Sequence, residues 1–142
     1  MILYCDTSAL IKRYVEEEGS GRVNELWDAA EGIATSVVAF AETVAALNRK
    51  RRDGVLTARE FARTMTAWKR DYDNFILVPV DGSLNERIEL LTRAHPLRGF
   101  DAIHLASALV IRSDGRIATR FACFDRILNE AAASEALDVA IT

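Results

Sequence analysis

The sequence predicts an α/β fold, a three-layer α/β/α sandwich around a central five-stranded parallel sheet. Short apolar runs alternate along the whole chain with longer helical patterns, and strands separated in this way pair in parallel with helices on both faces. The 142 residues contain no internal repeat and no Pro/Gly-rich linker, so we predict a single domain spanning 1–142. In such sheets, ligands bind beyond the carboxyl ends of the strands, where the strand order reverses.

Each element follows from local patterns. The predicted strands are ILYC (2–5), IATS (33–36), FILVPV (75–80), TRFACF (119–124) and LDVAI (137–141). The predicted helices are 8–18 and 20–32, broken at Gly19, then 37–54, 57–74, 82–94, 100–112 and 126–132. Thr57 and Glu60 have the spacing of a capping box at the start of one helix.

Composition narrows the class of protein. Half of the residues are hydrophobic and 27% are charged, as in a folded domain. No apolar run reaches membrane-span length and the N-terminus lacks a signal-like pattern, so we expect a cytoplasmic protein with no membrane partner. The net charge of −3 gives no overall basic footprint for nucleic acid. Cys5 and Cys123 lie in apparent strands, are expected in the core, and lack zinc-ligand spacing.

Four carboxylates are set in apolar runs, and these are Asp6, Glu42, Asp101 and Asp125. Asp6 and Asp125 stand at the carboxyl ends of strands, Asp101 lies in the first turn of its helix, and Glu42 is expected a turn or two into its own. Clustered carboxylates repel each other unless a cation joins them, and all-oxygen ligands favour Mg²⁺ or Mn²⁺. Such a site polarises a phosphate oxygen and activates water, which points to phosphodiester hydrolysis.

Structural roles remain open for the same residues. Asp6 and Asp125 could cap the helices that follow them, Asp101 could serve a helix N-terminus, and Glu42 could face solvent. Asp81 provides a control, because it also follows a strand and precedes a helix, and we interpret it as an N-cap only.

The four segments resemble the motifs of PIN-domain nucleases, and above all of VapC-type toxins from toxin–antitoxin pairs. "YCDTSALIKRY" resembles the opening motif and matches Asp6, and "ATSVVAFAE" resembles the segment that carries Glu42. "GFDAIHLASAL" resembles the third motif with Asp101, and "FACFDRIL" resembles the fourth with Asp125. The family often has Thr or Ser two residues before the fourth acid, whereas this chain has Cys123.

The resemblance implies a PIN-like sandwich with strand order 3-2-1-4-5. It implies an endoribonuclease in which Asp6, Glu42, Asp101 and Asp125 are catalytic and bind Mg²⁺ or Mn²⁺. It also implies a homodimer restrained by a VapB-like antitoxin whose tail covers the acidic cleft. The alternatives are a catalytically silent PIN-like module that binds RNA or protein, and a phosphatase with Asp6 as nucleophile. The phosphatase is disfavoured because Ser8 occupies the position of that class's second aspartate.

The remaining polar residues are assigned more simply. We expect His104, one turn after Asp101, to be packed rather than to act as a general base, and His95 to lie at the surface. The basic run 49–52 either flanks the cleft or covers a helix end. The better candidates for phosphate contacts are Lys12, Arg13, Arg98 and Arg126.

Overall fold

The five strands form one parallel sheet with the order β3-β2-β1-β4-β5 in a computed structural model that describes residues 1–142. The strands are β1 (Ile2–Cys5), β2 (Gly32–Ser36), β3 (Ile76–Val78), β4 (Thr119–Ala122) and β5 (Asp138–Val139). Every neighbouring pair is parallel, and all four residues of β1 are buried. This confirms the expected strand order. The order reverses between β1 and β4, so a ligand is expected beyond their carboxyl ends.

Seven helices cover the two faces of the sheet. They are α1 (Thr7–Tyr14), α2 (Ser20–Ala29), α3 (Ala39–Arg52), α4 (Ala58–Tyr72), α5 (Gly82–Ala94), α6 (Gly99–Ser113) and α7 (Arg126–Ser134). Alternate residues of β1 enter different cores, since successive side chains of a strand point to opposite faces. Tyr4 packs with residues of α5, α6 and α7, whereas Leu3 and Cys5 pack with residues of α1, α2, α3 and α4. The predicted three-layer sandwich is therefore confirmed.

Several elements are shorter than the sequence indicated. The third, fourth and fifth strands lose residues at one or both ends, and α1 ends at Tyr14 rather than at residue 18. The difference that matters for the site is at α3, which begins at Ala39 and not at Val37. Val37 and Val38 form a turn in which the Val38 N–H donates to Ser36 Oγ at 3.2 Å. Glu42 therefore lies in the first turn of its helix, not deeper as expected.

The starts of α4 and α5 have the capping chemistry that the sequence predicted. Thr57 and Glu60 form the predicted capping box, and Asp81 caps α5 by accepting from the Ser83 N–H. Gly19 is the N-cap of α2 and has a φ of 95°, and a Cβ there would lie 2.7 Å from the Phe124 ring. A side chain at position 19 would therefore strain the backbone and clash. No helix combines the length and the apolar character that crossing a bilayer requires.

Candidate active site

A cleft of about 540 Å³ opens where β1 and β4 end. All four carboxylates singled out in the sequence line it. The same cleft is lined by Thr7, Ser8, Pro96, Arg98, Gly99, Phe100, His104 and Ile127. The fold thus brings together residues that are up to 119 positions apart (6 to 125) at the predicted edge of the sheet. Asp81, the control residue, does not line this cleft.

Asp6 is the most enclosed of the four acids, with 5% of its surface exposed. It caps α1, and its Oδ1 accepts from the Ala9 N–H at 3.1 Å and from Ser8 Oγ at 2.6 Å. Ser8 Oγ in turn accepts from the Phe124 N–H at 3.0 Å, which fixes α1 against the end of β4. Both bonds to Asp6 end on Oδ1, so Oδ2 has no N–H or O–H donor.

Asp125 repeats this arrangement at the end of β4, but it is exposed. Its Oδ1 caps α7 by accepting from the Leu128 N–H at 2.8 Å, and its backbone N–H donates to Cys123 Sγ at 3.2 Å. For Asp6 and Asp125 the capping role is therefore real, and it uses one oxygen of each carboxylate. A capping role and a role in the cleft are compatible, although the sequence suggested a choice between them.

Glu42 is bonded to two other elements through a single oxygen. Its Oε1 accepts from Thr7 Oγ1 of α1 at 2.7 Å and lies 2.7 Å from His104 Nε2 of α6. Burial alone would raise the pKa of Glu42, but the hydrogen bonds from His104 and Thr7 and the proximity of His104 lower it below its usual range. Glu42 is thus an ionised and fixed carboxylate, not one that points freely into solvent.

Asp101 differs from the other three because no protein group donates to its carboxylate. Burial raises its pKa, and the negative charges of Asp125, Asp6 and Glu42 raise it further, with a smaller opposing effect from His104. Each of these electrostatic effects requires the carboxylates to be near one another. The cleft therefore holds like charges that its own side chains do not neutralise.

Cations are scarce around these acids. Three of the four predicted phosphate contacts are engaged elsewhere: Lys12 pairs with Glu17 at 3.1 Å, Arg13 bonds Asn24, and Arg126 pairs with Glu130. An RNA phosphate would have to compete with these protein acceptors for the three side chains, so their phosphate contacts stay predictions. Arg98, at the N-cap of α6, is the one Lys or Arg side chain that lines the cleft.

The basic run 49–52 covers the end of α3, as the simpler interpretation held. Lys50 pairs with Glu17 at 3.0 Å, and the Arg51 guanidinium lies 5.3 Å from the centroid of the Phe61 ring. None of the four residues lines the cleft.

Both histidines have protein partners. His104 is 2% exposed and packed, as expected, but the sequence did not show that it bridges Tyr4 and Glu42. His95 was expected at the surface; it is instead half-buried, with Nε2 2.9 Å from Glu135 Oε2. Sequence reasoning also missed Tyr4 and the exposed apolar rim of Phe100 and Ile127. The adjacency of Phe100 to Asp101 was the only signal available for that rim.

Cys123 is buried beside Asp6, in the place of the family's usual hydroxyl. Burial raises the pKa of its thiol, and the charge of Asp6 raises it further, so Cys123 stays protonated near neutral pH. Its sulfur accepts the Asp125 N–H. It thus supports the loop that carries Asp125, as a hydroxyl oxygen could do. Cys5 is also buried, and neither cysteine forms a disulfide.

The side chains as placed do not form a complete coordination shell. No three Asp, Glu, His or Cys side chains are grouped tightly enough to bind one ion together. Mg²⁺ in proteins commonly takes one or two carboxylates directly and keeps several waters. The arrangement in the cleft is compatible with that mode of binding.

Comparison with known proteins agrees with the fold and the motifs. The PIN domain family matches residues 3–134. The chain belongs to the PIN-domain family. Two curated Mycobacterium tuberculosis proteins, Ribonuclease VapC45 and Ribonuclease VapC49, are each 34% identical to it over 131 residues, which is 92% of this chain and 89% of theirs. Among PIN domains, this chain is therefore similar to VapC ribonucleases along nearly its whole length.

Solved structures share the PIN fold at lower identity. FitAcB from Neisseria gonorrhoeae superimposes with a TM-score of 0.70 at 17% identity, covering 98% of this chain and 96% of that one. VapC20 of M. tuberculosis, described as a Sarcin-Ricin loop cleaving toxin, gives 0.64 at 24% identity and covers 91% and 94%. A toxin–antitoxin complex from Klebsiella pneumoniae gives 0.59 at 20% identity and covers 88% and 87%.

Proposed function

We propose that this PIN domain is a VapC-type endoribonuclease, the toxin of a toxin–antitoxin pair, and that it hydrolyses RNA phosphodiester bonds with Mg²⁺ or Mn²⁺. The observation that carries the proposal is the convergence of four carboxylates on one cleft, those of Asp6, Glu42, Asp101 and Asp125. In Asp6, Glu42 and Asp125 one carboxylate oxygen accepts hydrogen bonds, and the carboxylate of Asp101 accepts none. The 34% identity to two VapC ribonucleases supports the same activity.

The cleft has the chemistry of a divalent-cation site. Its acids offer only oxygen, the donor that Mg²⁺ and Mn²⁺ prefer, and Asp101 has a raised pKa because neighbouring carboxylates repel its charge. A cation bound among these acids would relieve that repulsion. We propose Asp6, Glu42, Asp101 and Asp125 as the residues that hold it, directly or through water. When bound, the ion supplies Lewis-acid polarisation of the phosphate and lowers the pKa of water.

The protein side chains then position the substrate. Arg98 is placed to contact a phosphate, and its charge offsets the repulsion between RNA and the acids. We do not assign His104 as a general base, because it is buried and both of its ring nitrogens have protein partners. The cleft therefore has no free imidazole to activate a ribose 2′-hydroxyl. Attack by water, leaving a 5′-phosphate and a 3′-hydroxyl, is the reaction that this residue set favours.

The negative charge of the cleft indicates what kind of antitoxin segment would bind the proposed toxin. An antitoxin tail that carries basic side chains would complement the four carboxylates and block access to them. We also propose a homodimer, as the family resemblance implies. Light scattering on the free protein would test the homodimer, and light scattering on a mixture with the product of any small gene found immediately upstream would test the antitoxin.

The deciding experiment compares the wild-type protein with Asp101→Asn on mixed RNA, with Mn²⁺ and with EDTA. We expect cleavage only by the wild-type protein with Mn²⁺, and 5′-phosphate ends in the products. Asp101→Asn should fold, because no hydrogen bond ends on this carboxylate. Equal cleavage by both proteins would exclude the assigned site, and 2′,3′-cyclic phosphate ends would exclude attack by water.

A catalytically silent PIN-like module is the second candidate, and the specific observation behind it is Cys123 in place of a hydroxyl. The same assay decides between them, with Cys123→Ser as an additional variant. The enzyme assignment predicts that wild type and Cys123→Ser both cleave RNA, since sulfur already accepts the Asp125 N–H. RNA binding without cleavage by the wild type would favour the silent module.

A further inference from the structure

His104 has no assigned role in the proposed reaction, yet it contacts one of the proposed cation-binding residues. Its Nε2 lies 2.7 Å from Glu42 Oε1, and its Nδ1 lies 2.8 Å from the hydroxyl of Tyr4. The bridge joins three elements, β1 through Tyr4, α6 through His104 and α3 through Glu42. His104 is 100 positions from Tyr4 and 62 positions from Glu42 in the sequence, so only the tertiary fold creates this row of hydrogen bonds.

The direction of each hydrogen bond follows from the groups involved. An ionised carboxylate can only accept, so Nε2 must carry the hydrogen that Glu42 receives. Tyr4 is fully buried, and burial raises the pKa of its hydroxyl, which therefore keeps its proton. In neutral His104 the Nδ1 atom is then the acceptor of the Tyr4 hydroxyl. The bridge specifies the Nε2–H tautomer of His104.

The second donor to Glu42 ends on the same atom. Thr7 Oγ1 donates to Oε1 at 2.7 Å, from the residue that follows Asp6. Two donors on Oε1 fix the carboxylate and leave Oε2 without a protein partner. Each donor residue is close in sequence to another acid of the cleft, since Thr7 follows Asp6 and His104 lies one helical turn after Asp101.

We propose that His104 is a positioning residue which, held by Tyr4, fixes Glu42 so that Oε2 is the oxygen offered to the divalent cation. The inference rests on the proposed function, which it deepens by assigning the support of one proposed ligand. Hydrogen-bond partners of metal-binding carboxylates orient the ligand and tune its affinity. A histidine that is 2% exposed could otherwise serve only to fill the core.

The test measures Mn²⁺ affinity by electron paramagnetic resonance on the full chain, without RNA. His104→Leu fills the same space but cannot donate, and we expect it to weaken Mn²⁺ binding by about 10- to 100-fold. His104→Gln can still donate to Glu42 from its amide, and we expect it to recover most of the affinity. His95→Gln is the matched control, because His95 pairs with Glu135 outside the cleft and should leave Mn²⁺ affinity unchanged.

Two further measurements separate positioning from core packing. In metal-free wild-type protein, ¹⁵N NMR should show His104 as the Nε2–H tautomer, and Tyr4→Phe should change its Nδ1 shift. On RNA, His104→Leu should lower kcat with little change in KM, since Glu42 is not assigned to RNA binding. His104→Gln should restore kcat.

The proposal is overturned if His104→Leu binds Mn²⁺ as tightly as the wild type, or if His104→Gln is as impaired as His104→Leu. An Nδ1–H tautomer would overturn it as well. Failure of the proposed function gives a different result. In that case the wild type itself would neither bind Mn²⁺ nor cleave RNA, and the tautomer alone would decide whether the bridge exists.

Discussion

The junctions β1–α1 and β3–α5 have the same local chemistry and different surroundings. In each, an aspartate follows a strand, caps the next helix through Oδ1, and accepts a 2.6 Å hydrogen bond from the serine two residues later. The pairs are Asp6 with Ser8 and Asp81 with Ser83. Locally, the two segments are nearly interchangeable.

Their positions in the sheet make the difference. β1 lies between β2 and β4, so Asp6 is 5% exposed. It is close enough to Asp101 for its charge, together with that of Asp125, to raise the pKa of Asp101. β3 is at an edge, and Asp81 is exposed, with its pKa lowered by the hydrogen bonds from Ser83 and the backbone. Local sequence is therefore enough to make a helix cap, whereas the position of the strand in the sheet decides whether the capping residue lies in the cleft.

The largest difference between the two aspartates should be in their effect on RNA cleavage. Asn caps helices as well as Asp, so Asp6→Asn and Asp81→Asn should both fold. We expect Asp6→Asn to lose RNA cleavage by about a hundredfold or more, because a divalent-ion contact supplies several kcal/mol to the transition state. Asp81→Asn should cleave RNA at the wild-type rate. Initial rates of RNA cleavage with Mn²⁺ measure both effects. A comparable loss of activity in the two variants would contradict the assignment of Asp6, and not Asp81, to the site.

The next effect concerns binding of the cation to the folded state. At a hundred times its Kd, Mn²⁺ should stabilise the wild-type protein by about 2.7 kcal/mol, because the ion binds the native state only. Asp81→Asn should keep this gain and Asp6→Asn should lose most of it. Urea unfolding with Mn²⁺ and with EDTA gives the difference. An equal gain in the free energy of unfolding for all three proteins would mean that Mn²⁺ binds away from Asp6.

The two serines should differ in their effect on stability. Ser8→Ala leaves the part-buried Phe124 N–H without an acceptor, and we expect a loss of about 1–2 kcal/mol in the free energy of unfolding. Ser83 bonds only to the exposed Asp81, and Ser83→Ala should change little. Urea midpoints in EDTA compare the pair. A loss of stability as large for Ser83→Ala as for Ser8→Ala would mean that the helix caps, and not the bond to the Phe124 N–H, set the cost.

The smallest effect has opposite signs at two carboxylates. Asp101 has a raised pKa, so its ionisation opposes folding once the pH rises above its unfolded pKa, whereas Asp81 has a lowered pKa and its charge favours folding there. At pH 7 in EDTA, Asp101→Asn should raise Tm slightly and Asp81→Asn should lower it slightly. Both differences should shrink as the pH falls and the aspartates become protonated. Circular dichroism melts at several pH values measure this, and a lower Tm for Asp101→Asn at pH 7 would contradict the sign.

Much of the site could be predicted because its signals are local. An acid in an apolar run stands out wherever it occurs, and Asp6, Asp101 and Asp125 lie at the ends of elements that short patterns define. The predicted start of α3 was wrong because the turn before it is set by hydrogen bonds from the Val38 N–H to Ser36 Oγ and from the Val37 N–H to the Val78 carbonyl. The apolar periodicity continues through this turn and does not report it. The ion pair of Lys12 was not predicted because its partner, Glu17, lies beyond the end of its helix.

The amino-acid sequence is enough to identify the alternation of strands and helices, the capping residues and the four isolated carboxylates. These depend on contacts within a few positions, which propensity and periodicity report. Only the folded chain shows that Asp6 lines the cleft whereas Asp81 does not, and that His104 joins Tyr4 to Glu42. Those outcomes depend on which strands are neighbours and which helix faces meet. Such pairings bring together residues that are far apart in the chain, so no local pattern encodes them.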